Sequence, residues 1–379
     1  MTNGQKLHGH LVGKAGSRHL LNTPALIIDL EALERNIAEM ASFARSRNVQ
    51  LRPHTKTHKS IEIARRQIAA GAIGICCAKL GEAEAFRSAN IDSVLITSPV
   101  VTRAGLQRLS VLNRQIRDLM VVVDHESNVN AIASCTAGSH ISILIDIDPG
   151  MNRTGVTSPE SAVKLAQRIA DHRSLRFRGV QYFCGQLQHI RAFDARNQEV
   201  AVSTAYLASV VEALVKAGYP PEIITGSGTG THLMDAAAGV FTELQVGSYV
   251  FMDMDYGACD LRGGGMPVFS HALQIDATVV SANTPGMVTL DAGLKAMATE
   301  KGPPLVLKGA VEGSTARFMG DEHIALIAPH GEASPRHGER VVLMPPHCDP
   351  TVNLYEEYHV VIYDRLVDIW PVDARGRSA

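Results

Sequence analysis

Four short apolar segments within residues 73–148 decide the fold: IGICCAK (73–79), SVLITSP (93–99), LMVVVD (119–124) and ISILIDID (141–148). Similar segments flank them at VQLRPHTK (49–56), FRGVQYF (177–183), EIITG (222–226) and ELQVGSYV (243–250). Helix-like stretches follow most of these segments. Near-continuous apolar strands that alternate with helices indicate a parallel sheet, and eight of them indicate a closed barrel. We therefore predict an α/β fold with a TIM-like (β/α)8 barrel over residues 23–262.

The sequence changes in character after GGGMP (263–267), which interrupts any regular element. Beyond it, strand-like segments are separated by Gly, Pro and Asn turns: HALQIDATVVSA (271–282), GMVTLDAG (286–293), PLVLKGA (304–310), HIALIAP (323–329), ERVVLMPP (339–346) and EEYHVVIYDRLVDIWPVD (356–373). Short strands without helices between them predict antiparallel pairing. We expect an antiparallel β domain over residues 263–379, joined by residues 1–22.

Charge and composition exclude several classes of partner. The formal net charge is −2, and no basic block is present that could neutralise a row of phosphates. No stretch approaches the roughly 20 apolar residues that cross a bilayer, and the N-terminus lacks the apolar core of a signal peptide. The six cysteines have no C-x-x-C spacing, so we expect them to be reduced. These features predict a cytoplasmic protein that binds neither nucleic acid nor a membrane.

The most polar segment of the predicted barrel, RPHTKTHKS (52–60), lies at the C-terminal end of the first barrel strand. Active sites of such barrels lie at the C-terminal ends of the strands, so these side chains are candidates for chemistry. A lysine that forms a Schiff base must be neutral to attack, and its pKa falls when other cations crowd it. The neighbouring arginine and histidines supply that crowding for Lys56 and Lys59. The residues alone do not separate these two lysines, and a solvated basic loop is the alternative.

Two further segments are candidate anion sites. TGSGTGT (225–231) follows the seventh predicted strand and precedes a helix-like stretch. Glycines let backbone N–H groups approach an anion, and barrels often bind phosphate with the loops after strands seven and eight. In MNRTG (151–155), Arg153 can bind an oxyanion or a carboxylate with its fork of donors. An ordinary turn and a surface arginine are the alternatives.

The segment PPHCDPT (345–351) is a candidate metal site. In an extended chain, residues two apart project to the same side, so His347 and Asp349 can share an ion while Cys348 points away. Nitrogen with hard oxygen, and no thiolate, favours manganese or magnesium over a structural zinc. Further candidate cofactor contacts, which otherwise complete a core or an interface, are Tyr182, Gln186, His189 and Tyr249.

Several segments, taken in order, resemble the D-threonine aldolases and the related D-serine dehydratases, which share the alanine-racemase-like fold. They are TPALIIDLEALERNI (23–37), RPHTKTHKS, MNRTG, GSGTGTH (226–232), GSYVFMD (247–253) and PPHCDPTVNL (345–354). The resemblance implies that pyridoxal phosphate is bound covalently by Lys59 rather than Lys56, with Arg153 beside its phenolic oxygen. It also implies that the phosphate is bound by Tyr249 and by the loop residues Gly226, Ser227, Gly228, Thr229 and Gly230.

The same resemblance implies an activity. His347 and Asp349 would hold a divalent metal (Mn²⁺, Mg²⁺ or Co²⁺) near the substrate's β-hydroxyl, in a homodimer that cleaves D-threonine and other D-3-hydroxy amino acids to glycine and an aldehyde. Dehydratase members usually carry cysteine at the second metal position, so Asp349 matches the aldolase pattern. The alternatives are metal-assisted dehydration of D-serine or D-3-hydroxyaspartate, a non-catalytic pyridoxal phosphate carrier, and a metal-free sugar-phosphate aldolase.

Overall fold

The computed structural model describes residues 3–379 and contains two β-sheets, a barrel and a second sheet built largely from the C-terminal third. In chain order the strands are β1 (Ala25–Asp29), β2 (Gln50–Leu51), β3 (Ile75–Cys77), β4 (Ser93–Ile96), β5 (Asp118–Val123), β6 (Ile141–Asp146), β7 (Leu175–Tyr182), β8 (Ile223–Gly226), β9 (Glu243–Leu244), β10 (Leu273–Thr284), β11 (Met287–Leu290), β12 (Leu305–Lys308), β13 (Thr315–Phe318), β14 (Ile324–Ile327), β15 (Arg340–Met344), β16 (Glu357–Ile362) and β17 (Arg365–Pro371).

The barrel consists of eight parallel strands in the order β2-β9-β8-β7-β6-β5-β4-β3. The chain beyond β2 closes it, because His54 pairs in parallel with Cys76 and the Cys76 N–H donates to the Pro53 carbonyl at 2.9 Å. Helices cover the outside while side chains fill the inside, which explains why most of the strands are near-continuous apolar runs. All eight predicted strands are present, and the predicted barrel is confirmed.

The described residues form eleven α-helices. In chain order they are α1 (Asn3–His8), α2 (Leu30–Ser46), α3 (Ile61–Ala69), α4 (Leu80–Phe86), α5 (Arg103–Asn113), α6 (Glu126–Cys135), α7 (Pro159–Ala170), α8 (Phe193–Lys216), α9 (His232–Ala238), α10 (Met254–Gly257) and α11 (Cys348–Val352). Hydroxyl side chains cap two barrel helices: Thr102 accepts the Gly105 N–H at 3.1 Å, and Ser158 accepts the Ser161 N–H at 3.1 Å. Each cap pairs an amide that the helix itself leaves without a partner.

Helix α8 corrects one expectation from the sequence. By length and composition it is apolar enough to cross a bilayer, whereas no such stretch was predicted. Its buried residues recur every three to four positions, at Arg196, Val200, Thr204, Leu207, Val210 and Leu214. The helix packs against α7 and α9, so it forms part of the outer helical ring of the barrel.

The second sheet has the order β13-β14-β11-β10-β1-β16-β17, with β15 pairing to both β10 and β12. Its ladders are antiparallel except that between β1 and β16. β1 is misplaced by the sequence prediction, which put it in the barrel segment beginning at residue 23. It lies inside the second sheet because Ile27 pairs with Gln274 on one side and with His359 on the other. Strand β13, of only four residues, was not predicted.

The N-terminal segment packs against this second sheet. Leu11 and Leu21 belong to an apolar cluster that includes Leu366. Arg18 donates hydrogen bonds to both carboxylate oxygens of Asp276, at 2.6 and 2.9 Å. This buried, two-point ion pair orients the segment as well as holding it. The first two residues of the predicted joining segment lie outside the described part of the chain.

The second sheet meets the barrel at the C-terminal ends of the barrel strands. The Cys348 N–H donates to Asp253 Oδ2 at 2.9 Å, and the Tyr358 hydroxyl donates to the His58 carbonyl at 2.6 Å. These contacts place α11 at the mouth of the barrel, where the polar loop after β2 also lies.

Candidate active site

A cavity of about 540 Å³ lies at the barrel mouth. Segments following most of the barrel strands form its walls. Representative lining residues are His54, Lys56, Lys79, Thr97, Arg153, Gln181, Gly228, Thr229, Gln245, Ser248 and Tyr256. The C-terminal face is where such barrels carry their active sites, and a cavity of this size accommodates a cofactor or a small substrate.

Of the two candidate lysines, the structure places Lys56, and not Lys59, in this cavity. Lys56 lines the cavity, its side chain is 43% exposed, and its Nζ lies 3.5 Å from Asp349 Oδ2. Lys59 Nζ is buried and lies 3.2 Å from Glu82 Oε1. Lys59 has a positive φ of 49°, which turns the chain at this point. The assignment of the cofactor lysine to Lys59 therefore disagrees with the structure, and Lys56 replaces it as the candidate.

The other cations of the polar loop do not converge on the cavity as expected. Arg52 points into the barrel, where it donates to both carboxylate oxygens of Glu243 at 2.8 and 3.1 Å. His58 is fully buried against Phe86. His54 does line the cavity, and burial, with Lys56 nearby, lowers its pKa to about 3, so its ring is neutral.

The glycine-rich loop after β8 supplies an anion cradle. Gly228 and Thr229 line the cavity. In the part of the chain that the structure describes, their backbone N–H groups have no protein acceptor, as is required of donors that bind a phosphate. Gly247 and Ser248, after β9, complete this side of the cavity.

The remaining loop glycines support the cradle from behind. A Cβ on Gly226 would lie 1.9 Å from the Tyr182 carbonyl oxygen, and one on Gly230 would lie 2.0 Å from the Gln188 carbonyl oxygen. Both positions therefore require glycine for close approach of the backbone. Ser227 is buried with a positive φ of 70°, and it shapes the turn without lining the cavity.

Two predicted tyrosine contacts are not in the cavity. The Tyr182 hydroxyl is 2.7 Å from Ser203 Oγ on α8, because its neighbour Gln181 faces the barrel interior and successive strand residues point to opposite sides. The Tyr249 hydroxyl accepts a hydrogen bond from Gln67 Nε2 at 3.0 Å, so only its backbone reaches the cradle, where its N–H donates to Thr229 Oγ1 at 2.9 Å. Gln186 is likewise directed away from the cavity, to the Pro149 carbonyl.

Arg153 lies where the sequence predicted, at the cavity wall. Its guanidinium carbon is 5.7 Å from the Phe183 ring centroid, and Lys56 Nζ is 5.9 Å from the same centroid. The Asp148 carboxylate holds the loop before Arg153 by accepting the N–H groups of residues 150–152. Arg153 lies near Asp146, whose pKa it acts to lower, but it forms no salt bridge within the described residues, so its donors remain available to an anionic ligand.

A buried polar group inside the barrel was not singled out from the sequence. Gln181 Nε2 donates to Asp146 Oδ1 at 2.8 Å, and Gln245 Nε2 lies 3.2 Å from Gln181 Oε1. Burial raises the pKa of Asp146 to about 6, although Gln181 and Thr154 donate hydrogen bonds to it. Glutamines within otherwise apolar strands were the available signal, because a buried amide needs a partner.

His347 and Asp349 come together, but not in the predicted conformation. His347, the N-cap of α11, has the predicted extended backbone, but Asp349 lies in the first turn of that helix, so the segment is not extended throughout. Burial alone would raise the pKa of Asp349, but Lys56 and His347 outweigh it and hold the pKa below the usual value. The carboxylate is thus ionised and competent to bind a cation.

The donor set fits a divalent metal with open coordination positions. No group of three or more His, Cys, Asp or Glu side chains that could hold a metal occurs between residues 3 and 379. One imidazole and one carboxylate suit an ion such as Mg²⁺ or Mn²⁺, which retains water and binds through few protein ligands. A closed structural zinc site would need four ligands.

His189 is at the same end of the site. Its Nδ1 is 3.1 Å from Asp255 Oδ2, and the same oxygen forms an ion pair with Lys301 Nζ at 2.7 Å. The His189 ring centroid lies 4.4 Å from that of Tyr256, a cavity residue. Burial lowers the pKa of His189 despite Asp255, so the ring is neutral and able to accept a proton near pH 7.

Comparisons with known proteins agree with this geometry. Residues 28–255 match the family model described as alanine racemase, N-terminal domain, and residues 272–361 match a serine dehydratase domain model. The chain is 40% identical over 362 residues to a D-threonine aldolase of Arthrobacter sp., with 94% of both chains covered. It is 34% identical over 371 residues to a 3-hydroxy-D-aspartate aldolase of Paracoccus denitrificans (strain Pd 1222), covering 94% and 93% of the two chains.

A solved structure supports the same assignment. The crystal structure of D-threonine aldolase from Filomicrobium marinum superposes with a TM-score of 0.90 at 38% identity, covering 95% of this chain and 97% of that one. Fold and site together define the class of alanine-racemase-like barrel enzymes. Within that class, the chain belongs to the D-threonine aldolase family of carbon–carbon lyases. The family predicted from the sequence is confirmed.

Proposed function

We propose that this chain uses pyridoxal phosphate and a divalent metal to cleave D-3-hydroxy amino acids, D-threonine among them, to glycine and an aldehyde. One observation carries the proposal: Lys56 lines the same cavity as the glycine-rich anion cradle, and its Nζ lies 3.5 Å from Asp349 of the candidate metal pair. The first feature suits an aldehyde cofactor with a phosphate. The second suits a cation beside the part of the substrate that reacts.

The residues that would hold the cofactor follow from the cavity walls. Lys56 would hold it covalently through Nζ, Gly228 and Thr229 would bind its phosphate, and Arg153 would meet its anionic ring oxygen. Pyridoxal phosphate, when bound, supplies the electron withdrawal that allows the Cα–Cβ bond to break. Lys59 is not assigned a role in binding the cofactor, because its Nζ is buried in an ion pair with Glu82.

The residues at the other end of the site would handle the β-hydroxyl proton. His347 and Asp349 would hold Mn²⁺, or Mg²⁺ or Co²⁺ in its place, and a divalent cation supplies the charge that makes loss of this proton feasible near neutrality. His189 would accept the proton at Nε2, since its Nδ1 faces the Asp255 carboxylate. Lys301 also pairs with Asp255 and holds this carboxylate in place.

Borohydride reduction of the cofactor-loaded protein, followed by peptide mapping, tests the anchor. We expect the label on Lys56, and we expect Lys56→Ala to lose it together with the visible absorbance of the bound cofactor. Lys59→Arg is the matched control, since it preserves the charge opposite Glu82, and it should still be labelled at Lys56. Label recovered on residue 59 of the unmodified chain would contradict the assignment.

The serine dehydratase domain match at residues 272–361 favours one alternative, elimination of the β-hydroxyl as water. The two reactions differ in their products from D-threonine: acetaldehyde and glycine from cleavage, 2-oxobutanoate and ammonia from elimination. We expect the enzyme to form glycine and acetaldehyde in equal amounts. Their formation should stop when a chelator removes the metal and resume when Mn²⁺ is added. Production of 2-oxobutanoate without glycine would replace the aldolase proposal by a dehydratase.

The resemblance to the family also supports a homodimer in the cytoplasm, with neither nucleic acid nor membrane as a partner, and we retain these as proposals. Light scattering coupled to gel filtration tests the first. A mass near twice that of a single chain is expected.

A further inference from the structure

One acidic residue beside the candidate metal ligands has no role in the function proposed above. Glu300 lies between β11 and β12, and its Oε1 is 2.5 Å from His347 Nδ1. The Glu300 side chain is 48% exposed and that of His347 is 27% exposed. A charge-assisted hydrogen bond this short is directional, so it fixes the orientation of the His347 ring.

The loop that carries Glu300 is fixed to the helix that carries His347. The Ala298 N–H donates to Thr351 Oγ1 at 3.0 Å, and the Tyr355 hydroxyl donates to the Ala296 carbonyl at 2.8 Å. Thr351 Oγ1 in turn donates to the His347 carbonyl at 2.7 Å. The backbones that carry Glu300 and His347 are thus held together by hydrogen bonds that involve neither of these two side chains.

This contact has a consequence for the imidazole. A neutral imidazole carries one proton, and a carboxylate at Nδ1 retains the proton on that nitrogen. The lone pair is then on Nε2, the nitrogen left to bind a cation. The N–H of the second ring nitrogen of a metal-binding histidine commonly donates a hydrogen bond to a carboxylate in this way, and losing that carboxylate weakens metal affinity.

We propose that Glu300 is a positioning residue that fixes the His347 ring and its tautomer so that Nε2 binds the divalent cation. This rests on the proposed metal role of His347. The immediate neighbour, Lys301, pairs with Asp255 beside His189. The consecutive residues Glu300 and Lys301 therefore contact groups at both ends of the site, His347 at the metal end and Asp255 at the proton-accepting end.

Titration of the cofactor-loaded protein with Mn²⁺, followed by the electron paramagnetic resonance of free Mn²⁺, tests this without relying on activity. We expect Glu300→Ala to raise the Kd for Mn²⁺ by about 10- to 100-fold. Glu300→Gln retains an acceptor for the Nδ1 proton but loses the charge, so its Kd should lie between those of the wild type and the alanine variant. Glu322→Gln, which removes an exposed carboxylate paired with Lys295 on the same domain, should bind as the wild type does.

Two further variants separate the possible failures. If Glu300→Ala and Glu300→Gln both bind Mn²⁺ with the wild-type Kd while His347→Ala does not bind, the positioning role is overturned and the metal site stands. If His347→Ala and Asp349→Asn also bind normally, the metal site of the proposed function fails as well. The cofactor's visible spectrum and the melting temperature show whether each variant is folded. If Glu300→Ala is not folded, the Kd of Glu300→Gln, the mildest change, decides the test.

Discussion

At the scale of single residues, two lysines three positions apart have opposite environments. The Lys56 side chain is nearly half exposed and pairs with Asp349 at 3.5 Å, whereas the Lys59 side chain is buried against Glu82. Glu82 also accepts the Ala78 N–H at 2.7 Å with its other oxygen, so Lys59 indirectly supports the cavity wall. A reactive amine needs access to its ligand, and of these two lysines Lys56 has that access.

The burial of the Lys59–Glu82 pair predicts a large cost for breaking it. Lys59→Met leaves the Glu82 carboxylate buried without its cation, and removing one partner of a buried pair lowers the free energy of unfolding by about 3–5 kcal/mol. Lys56→Met, which breaks a half-exposed pair, should change it by no more than about 1 kcal/mol. Urea unfolding of the two variants measures both values.

A double variant checks the cause. Lys59→Met combined with Glu82→Gln removes both charges, so it should be more stable than Lys59→Met alone. If Lys59→Met unfolds at the same urea concentration as the wild type, the ion pair contributes no net stability and the account of Lys59 as a structural lysine is wrong.

At the scale of elements, the loop after β8 depends on two glycines of different tolerance. A Cβ on Gly228 would lie 2.4 Å from the amide oxygen at the end of the Gln188 side chain, whereas one on Gly230 would lie 2.0 Å from the Gln188 carbonyl oxygen. A hydrogen-bonded side chain can shift more easily than the backbone can, so Gly230 is the less tolerant position. Gly230→Ala must therefore displace the loop that presents the Gly228 and Thr229 N–H groups. Gly9 provides a neutral control position, because an added Cβ there would have no atom of residues 3–379 within 4 Å.

We expect Gly230→Ala to lower the free energy of unfolding by about 1–3 kcal/mol, the usual cost of forcing an atom into a packed region. It should also weaken pyridoxal phosphate binding more than Gly228→Ala does, measured by titration of the apoprotein with the cofactor. Gly9→Ala should change neither quantity. Equal cofactor affinity in Gly230→Ala and the wild type would show that this loop does not bind the phosphate.

Elements also show what the sequence could and could not predict. Apolar runs identified all eight barrel strands, because burial on both faces leaves a signal in composition. The placement of β1 could not be predicted, since its pairing with β10 and β16 depends on residues more than 200 positions away. The inward phase of β7 was equally hidden: alternation implies that either Gln181 or Tyr182 faces the cavity, and only the packed barrel decides which.

At the scale of the whole molecule, several histidines are buried in neutral form in different regions. Burial lowers the pKa of His58, His232 and His359 to about 4 in each case. They lie beside the cavity loop, at the start of α9 and in β16. His359 Nε2 is 2.9 Å from Nδ1 of His8, also a buried histidine. Asp349 near His58 and Asp276 near His359 act to raise the pKa of these rings, but burial outweighs both carboxylates.

These depressed pKa values give a definite sign to the pH dependence of stability. An unfolded histidine binds a proton near pH 6.5, whereas the buried ones do so only near pH 4. Between these values the unfolded state binds more protons, so the free energy of unfolding is full above pH 6.5 and falls as the pH decreases toward 4. Each such histidine contributes about 1.4 kcal/mol per pH unit to the slope in this window.

A single substitution isolates one of these contributions. His359→Gln retains a polar partner for His8 but cannot be protonated, so urea unfolding between pH 7 and pH 4.5 should show a slope shallower than the wild type by about 1.4 kcal/mol per pH unit. His330→Gln, at an exposed position, should leave the slope unchanged. The contact between His359 and His8 joins the N-terminal segment to the second sheet. We therefore expect acid to release the N-terminal segment before the rest of the molecule unfolds. Limited proteolysis tests this: cleavage before residue 22 should occur at pH 5 but not at pH 7.5. Identical slopes for His359→Gln and the wild type would mean that protonating His359 does not destabilise the folded state, and that burial does not lower its pKa.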